Sequence, residues 1–180
     1  QWPDFHFHAD PGSSHGFAMA AAFRTPPGGS GGVLLSRSLN LDSDPEANRN
    51  QYTLRLLPDG RLEGIVGTRS IHSEPGYHDG QWHHAVLTTG TNRRIQLFID
   101  GALVADAPPA SGSHPGDLLI GARWNGSSGG AVTESFEGRI ADVRVWNTRV
   151  SAGEAKALAV LSAGKENLTP PRIDGLPAEI

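Results

Sequence analysis

The stretch that decides the fold reads DGQWHHAVLTTGTNRRIQLFIDGALVAD and occupies residues 79–106. Its three apolar segments are each short and rich in β-branched or aromatic residues, which is typical of strands. An Asp-Gly pair opens the stretch, and a second pair, Asp100-Gly101, separates the last two segments. Asp-Gly turns accept the positive φ angles of tight hairpins, so the stretch predicts three consecutive antiparallel strands.

The turn at residues 100–101 also fixes the register of its hairpin. It places Ile99 opposite Ala102, and Leu97 opposite Val104, when the two strands run on without interruption. Successive residues of a strand point to opposite faces, so one face of this hairpin is predicted to line a core.

Polar side chains also occupy defined positions in the predicted strands. A hairpin around residues 58–60 places Arg55 opposite Glu63, a cross-strand pair of opposite charge that contributes about 0.2–1 kcal/mol. The adjacent His83 and His84 point to opposite faces of their strand. We expect one of them to face the core and form a hydrogen bond there, and the other to face outward.

The composition fits a single globular all-β domain. A chain of 180 residues can bury a core, and its 23 glycines and 13 prolines suit an architecture with many turns. The net charge of -4, with no basic stripe, argues against a nucleic-acid-binding protein. No apolar run approaches the roughly 20 residues of a membrane helix. The absence of cysteine leaves the redox compartment open.

The order of predicted elements gives the domain organisation. Roughly eleven or twelve short strands precede one late helix, a pattern that indicates a two-sheet sandwich. The helix is predicted over residues 152–161, because Ser151 and Glu154 form a Ser-x-x-Glu capping box in front of it. Residues 1–162 are interpreted as one domain, and the proline-containing residues 163–180 as a C-terminal tail or linker.

The ordered set of motifs resembles the laminin-G-like branch of the concanavalin-type jelly rolls. The resemblance rests on the Asp-Gly-x-Trp-His-His of residues 79–84, the hairpin turn at 100–101, the apolar strand 118–121 and the closing strand 138–147. It covers about residues 17–160. It implies an all-β, two-sheet antiparallel jelly-roll sandwich with one short C-terminal helix.

Function has to be argued from residues, because folds of this kind host lectins, adhesion modules, hydrolases and lyases. Hydrolases with this fold carry acids at alternating positions of one strand, as in Glu-x-Asp-x-x-Glu, and no such motif occurs here. Glu134 and Glu137 have the wrong spacing for one strand face. The sequence therefore predicts a non-catalytic, lectin-like carbohydrate-binding module. The alternatives are a protein-interaction or adhesion module, and a glycoside hydrolase or polysaccharide lyase.

The predicted saccharide site combines an aromatic platform with polar side chains in loops. Sugar rings stack on aromatic faces, while amides and guanidinium groups bind the hydroxyls. Trp124 is the predicted platform, because it follows a strand and precedes a Gly/Ser-rich loop. Arg123 and Asn125 flank it, and Tyr77 and Arg69 are the further predicted contacts.

Calcium is the ion that the resemblance implies, although no cofactor is required for the predicted function. The polar loop with Asp42, Asp44 and Glu46 offers the oxygen ligands that Ca²⁺ prefers, and we interpret it as the candidate site. In the closing strand the resemblance places an aspartate where this chain has Ala141. Asp142 is displaced by one residue, so it is predicted to point to the opposite face.

The expected partners are an oligo- or polysaccharide and other domains of a parent protein. The chain begins at Gln1, which suggests a processed product or an excised domain. Arginine outnumbers lysine thirteen to two, which we interpret as the codon bias of a bacterial genome. Together these features predict a secreted or extracellular-surface location, without a membrane span and without nucleic-acid binding.

Overall fold

The computed structural model describes residues 16–38, 52–89, 94–108, 117–124 and 132–163. Along the chain, the described residues form strands followed by one helix. These elements are β1 (Phe17–Arg24), β2 (Gly32–Ser38), β3 (Tyr52–Leu56), β4 (Leu62–Val66), β5 (Arg69–His72), β6 (His83–Thr89), β7 (Ile95–Ile99), β8 (Ala102–Ala107), β9 (Asp117–Ile120), β10 (Arg123–Trp124), β11 (Val132–Thr133), β12 (Arg139–Trp146) and α1 (Ala152–Ala163).

The strands form two five-stranded sheets and a short ribbon. The first sheet has the order β12-β1-β6-β7-β8 and the second sheet the order β5-β4-β3-β2-β9, while β10 pairs with β11. Neighbouring strands of both sheets are antiparallel. The chain crosses between the sheets after β1, after β5 and after β8, and it returns to the first sheet at β12, so strands distant in sequence become neighbours. The predicted two-sheet antiparallel sandwich with one C-terminal helix is confirmed.

The main core lies between the sheets and follows from strand alternation. On β1, Phe17, Met19 and Phe23 point inward and are fully buried. The ring of Phe17 stacks on Tyr52 of the second sheet, with ring centroids 4.1 Å apart. Burying a side chain of this size contributes about 1.5–3 kcal/mol relative to leaving it exposed.

Helix α1 covers the other face of the first sheet. Ala18 and Ala20 of β1 and Phe98 of β7 are buried there in one cluster with Ala155 and Leu158 of the helix. Strand β1 is therefore buried on both faces, which explains why its sequence is apolar throughout instead of alternating.

The register of the β7–β8 hairpin differs from the prediction after its first pair. Ile99 lies opposite Ala102 as expected, but Leu97 lies opposite Ala105, so the predicted Leu97–Val104 pairing is wrong. A β-bulge inserts one extra residue of β8 into the pair. The bulge allows both Val104 and Ala105 to pack against the core, which strict alternation would not permit.

The two adjacent histidines of β6 face opposite sides, but their hydrogen bonding is the reverse of the prediction. His84 is buried, and neither of its ring nitrogens has a hydrogen-bond partner among the described residues. His83 is half-buried, with Nδ1 2.8 Å from Oδ2 of Asp100 and Nε2 3.1 Å from Oδ1 of Asp79. Burial lowers the pKa of His84. Burial also opposes the charge on His83, but the two carboxylates outweigh it and raise the pKa of His83.

Helix α1 begins at the predicted capping box. The backbone N–H of Ser151 donates to Oε2 of Glu154 at 2.7 Å, and the backbone N–H of Glu154 donates to the hydroxyl of Ser151 at 3.3 Å. Hydrogen bonds from Ser151 lower the pKa of Glu154. The helix extends two residues beyond its predicted end. It is too short to cross a membrane, and the described part of the chain contains no helix able to do so.

Replacing the capping hydroxyl tests the contribution of the box. Ser151→Ala removes the acceptor for the first turn of the helix, so we expect the free energy of unfolding to fall by about 0.5–2 kcal/mol. Urea denaturation followed by circular dichroism measures it. Lys156→Gln, at an exposed position of the same helix, is the control and should change the free energy of unfolding by less than about 0.5 kcal/mol. An equal effect of the two substitutions would contradict the role of the cap.

The two histidines should titrate on opposite sides of the ordinary value of about 6.5. We expect NMR titration of the ring protons to give the higher pKa for His83 and the lower for His84. Because its folded-state pKa is raised, His83 stabilises the fold most below pH about 6.5, and this contribution is lost as the pH rises through the folded value. His84, with a lowered pKa, destabilises the fold as the pH falls below about 6.5.

Asp100→Asn is the matched variant for this titration. Asparagine tolerates the positive φ of 51° at this turn and keeps an oxygen for the backbone N–H of His84, while the charge beside His83 is lost. The pKa of His83 should fall and that of His84 should change less. A larger change at His84 would contradict the assignment of the carboxylate contact.

Candidate functional site

A line of alternating charges crosses the outward face of the second sheet. Nη1 of Arg55 donates to Oε2 of Glu134 at 2.8 Å, and its Nε donates to Glu63. Nε2 of His72 lies 3.0 Å from the other oxygen of Glu63, and Arg123 donates to the other oxygen of Glu134. We call this set the charged row. Its members, in spatial order, are Arg123, Glu134, Arg55, Glu63 and His72.

Strand alternation and register place the middle of the charged row. Leu54 and Leu56 point into the core, so Arg55 between them points outward. Arg55 lies directly opposite Glu63 on β4, as predicted, and Glu63 lies directly opposite His72 on β5. Oppositely charged groups in such positions attract each other across the strands.

Glu134 joins the charged row from a different part of the chain. It follows β11 and has a φ of 52°, a left-handed conformation that non-glycine residues adopt rarely. Its carbonyl accepts from the N–H of Val33 at 2.9 Å, which anchors the segment to β2. Its carboxylate then reaches both Arg55 and Arg123, so the β10–β11 ribbon is fastened to the second sheet.

The charged row is ordered and only partly exposed. The side chain of Glu63 is 7% exposed and that of Arg55 25%. Burial would lower the pKa of Arg55, but hydrogen bonds and charges from Glu63 and Glu134 together raise it. The guanidinium therefore stays charged, and the row presents fixed donors and acceptors at the surface.

A cleft of about 250 Å³ adjoins the charged row. Arg55 and Glu134 form one wall, and the glycines before β2 and the β3–β4 turn form the rest. A Cβ atom on Gly32, which has a φ of 123°, would lie 2.4 Å from the carbonyl oxygen of Ser135. Only glycine lets the two backbones approach this closely, so the cleft has a fixed floor.

The structure places one predicted contact, Arg123, in the charged row. Trp124 follows it in β10, where its backbone pairs with Val132. The side chain of Trp124 lies outside the described residues, and so does the whole of Asn125. The predicted calcium ligands Asp42, Asp44 and Glu46 lie outside the described residues as well.

Tyr77 and Arg69 lie apart from Arg123. The N–H of Tyr77 donates to the carbonyl of Gly60 at 3.0 Å, in the β3–β4 turn, and its ring packs edge-to-face on His83 at 5.1 Å. Burial, with a smaller effect of the Asp100 charge, raises the pKa of Tyr77. Arg69 is exposed at the start of β5, about 10 Å along the strand from the end of the charged row.

Sequence reasoning missed two members of the charged row. The sequence indicated no partner for His72, although its outward position on β5 follows from the burial of Ile71. Glu134 was considered only as a partner of Glu137. In the structure Glu134 binds arginines, whereas the carboxylate of Glu137 accepts hydrogen bonds from the N–H and hydroxyl of Ser30, at 3.0 and 2.8 Å.

The closing strand does not keep the strict alternation on which the predicted orientation of Asp142 rested. A β-bulge at Asp142, with a φ of 47°, separates Ala141 from Arg144. The Asp142 carboxylate accepts two hydrogen bonds from Arg144, at 3.0 and 2.9 Å, and one from the hydroxyl of Ser162 at 2.7 Å. Asp142 thus helps to hold helix α1 on the first sheet. Among the described residues, no group of three or more His, Asp or Glu side chains could hold a metal ion.

Comparisons with known proteins place this chain in a family. The family model described as the concanavalin A-like lectin/glucanases superfamily, laminin-G type, matches residues 6–156. Human pentraxin-4 is 31% identical over 152 residues, which cover 75% of this chain and 29% of that protein. The chain therefore spans less than a third of the length of this curated relative.

Solved structures show the same fold at low sequence identity. A heptameric SAP-like pentraxin from Limulus polyphemus has a TM-score of 0.62 and 18% identity, over 81% of this chain and 70% of that one. The CBM40 of a Ruminococcus gnavus IT-sialidase, bound to α2,3-sialyllactose, has a TM-score of 0.66 and 15% identity, over 81% and 83%. With the family match over most of its length, the chain belongs to the laminin-G type of the concanavalin A-like lectin/glucanase superfamily.

Proposed function

We propose that the chain is a non-catalytic carbohydrate-binding module that docks a saccharide on the charged row. The observation that carries the proposal is the row itself, in which arginine donors and carboxylate acceptors alternate at fixed positions on one sheet face. A sugar hydroxyl is both a donor and an acceptor, so a surface with both kinds of group can bind neighbouring hydroxyls of one ring.

The proposed site centres on the end of the charged row near the β10–β11 ribbon. Arg123 and Arg55 would donate to hydroxyl oxygens, and Glu134 would accept from hydroxyl protons. Trp124 would provide the stacking surface for the sugar ring, and Asn125 a further amide contact. Tyr77 and Arg69 lie too far from Arg123 to contact the same ring, so we propose them as contacts for a longer oligosaccharide.

The hydrogen bonding of Glu63 and Glu134 favours binding without catalysis. Glu63 and Glu134 each accept hydrogen bonds from Arg55, and Glu63 is nearly buried. A general acid for glycoside hydrolysis needs free access to the glycosidic oxygen, and a carboxylate held by an arginine partner lacks that access. The sialyllactose held by the related CBM40 supports binding of a saccharide as the function.

The module is proposed to be one part of a larger extracellular protein. Pentraxin-4 is matched over 29% of its length, and the rat sushi, von Willebrand factor type A, EGF and pentraxin domain-containing protein 1 over 4%. Residues 1–162 would form the domain, and residues 163–180 would connect it to its neighbours. Secretion or surface display would bring it to its polysaccharide.

Docking on the charged row is proposed to need no cofactor, because the row supplies its own charged donors and acceptors. Asp42, Asp44 and Glu46 remain the proposed ligands for Ca²⁺, which has carboxylate oxygens as preferred ligands.

Removing the guanidinium of Arg123 should weaken saccharide binding. A glycan array identifies the ligand, and calorimetry then compares the protein with its Arg123→Gln variant. We expect at least a tenfold rise in Kd, because a charge-assisted hydrogen bond contributes about 1.5–3 kcal/mol. The matched control is Arg94→Gln, since Arg94 also pairs with a carboxylate, that of Asp106 in β8, but away from the charged row. Equal losses in the two variants, or no glycan bound at all, would favour a protein-interaction module instead.

Chelation and product analysis separate the remaining alternatives. With excess EDTA, the Kd for the saccharide should change by less than about twofold. The double variant Asp42→Asn/Asp44→Asn should change this Kd no more than the control Asp59→Asn, in the β3–β4 turn. Incubation with the bound polysaccharide should release no new reducing ends and no unsaturated sugars. Loss of binding with EDTA would show a calcium-dependent site, and new sugar ends would show an enzyme.

A further inference from the structure

Two arginines face each other at one end of the first sheet. Arg24 on β1 and Arg139 on β12 are direct partners in the antiparallel ladder, and both are exposed. Like charges in directly opposite positions repel and destabilise a strand pair. This pairing works against the stability of the sheet, which points to a role in binding.

Most of the hydrogen-bonding capacity of the two guanidinium groups is unused. Nε of Arg24 donates to the carbonyl of Gly80 at 2.7 Å, which orients the group and leaves its two terminal nitrogens available. Arg139 forms no hydrogen bond or ion pair with the described residues. The pair thus presents several charged donors to the same space.

The carboxylates adjacent to cleft-lining residues, Asp79 beside Gly80 and Glu137 beside Gly138, are engaged elsewhere. Glu137 accepts hydrogen bonds from Ser30, at 3.0 and 2.8 Å, and these bonds lower its pKa. Asp79 is 3.1 Å from the ring of His83. Neither carboxylate forms an ion pair with the two arginines, so their charge has no counter-ion among the described residues.

The arginines line a cleft of about 360 Å³ with rigid walls. Pro26 and Pro27 form one side, and their rings fix the local backbone. Gly138 has a φ of 154°, and a Cβ atom there would lie 2.2 Å from the carbonyl oxygen of Arg24. This close approach holds β12 against β1, so the strands that carry the two arginines are fixed in position before any ligand arrives.

We propose that this cleft binds one oxyanion, a carboxylate or sulfate group carried by an acidic saccharide. The planar guanidinium groups match the geometry of such oxygens, and the volume suits a single sugar unit. The chain carries a net charge of -4, so the site is a local positively charged patch and not part of an extended basic surface that would bind a polyanion. The oxyanion site stands by itself, whereas its assignment to a sugar rests on the proposed function.

NMR titration of the ¹⁵N-labelled protein, including the arginine Nε–Hε signals, tests the proposal at constant ionic strength. The probes are glucuronate, galactose 6-sulfate and neutral glucose. We expect an acidic sugar to shift the signals of Arg24 and Arg139, and glucose to leave them unchanged. Binding of glucuronate or of the sulfated sugar distinguishes the two sources, and either supports the proposal. Binding of neither, or equal shifts with glucose, would overturn it.

Substitutions test whether the acidic sugar binds in the cleft of Arg24 and Arg139. Arg139→Gln should raise the Kd for the acidic sugar about tenfold or more, while Arg61→Gln, at an exposed arginine of the β3–β4 turn, should change it less than twofold. Arg139→Gln should also raise Tm, because it removes the repulsion across β1 and β12. Unchanged affinity in Arg139→Gln, or an equal loss in Arg61→Gln, contradicts the site.

A third variant separates this inference from the proposed function. Arg123→Gln should leave acidic-sugar binding at the cleft intact, because Arg123 lies in the β10–β11 ribbon beside the second sheet and does not line the cleft. If the charged row binds no glycan while the cleft still binds the acidic sugar, the proposed function of the row fails and the oxyanion site stands.

Discussion

The stacking of Phe17 on Tyr52 joins the two sheets, and the position of every surface group depends on it. Because the inward-facing residues of each strand form this core, the residues between them point away from it. Arg55 and Glu63 meet on the outward face for this reason. A shift of one residue in the register of β3 would send the guanidinium into the core and the leucines to the surface. The hydrophobic core therefore specifies the charged row as strictly as the ion pairs themselves do.

Turn chemistry made the hairpins predictable, whereas bulges remained invisible in the sequence. Asp100 adopts the positive φ that its Asp-Gly turn requires, and the Arg55–Glu63 pairing followed from a short loop. The bulges at Val104 and Asp142 carry no comparable signal, because valine is an ordinary strand residue and aspartate is common in loops. Each bulge allows side chains to make contacts in the folded protein that regular pairing would not permit. Those contacts involve residues distant in sequence.

The candidate site was predictable only where it depends on local chain geometry. Arg123 was singled out beside Trp124, and it does lie in the charged row. Glu134 comes to Arg55 from 79 residues away, through the ribbon of β10 and β11. His72 completes the row because β5 pairs with β4 in one particular register. Contacts of this range depend on which strands become neighbours, and residue spacing alone does not contain that information.

The two arginine sites of the molecule differ in what they leave unsatisfied, and this difference indicates different ligands. In the charged row every arginine already has a carboxylate, so the row as a whole is close to neutral and offers donors and acceptors in turn. Such a surface is matched by hydroxyl groups, which also donate and accept. At the other sheet, Arg24 and Arg139 offer donors alone, and their repulsion is relieved only by a negative charge between them. An anion bound between the two guanidinium groups turns this unfavourable pair into a favourable contact. A saccharide with an acidic group carries both hydroxyls that match the charged row and an oxyanion that matches the arginine pair.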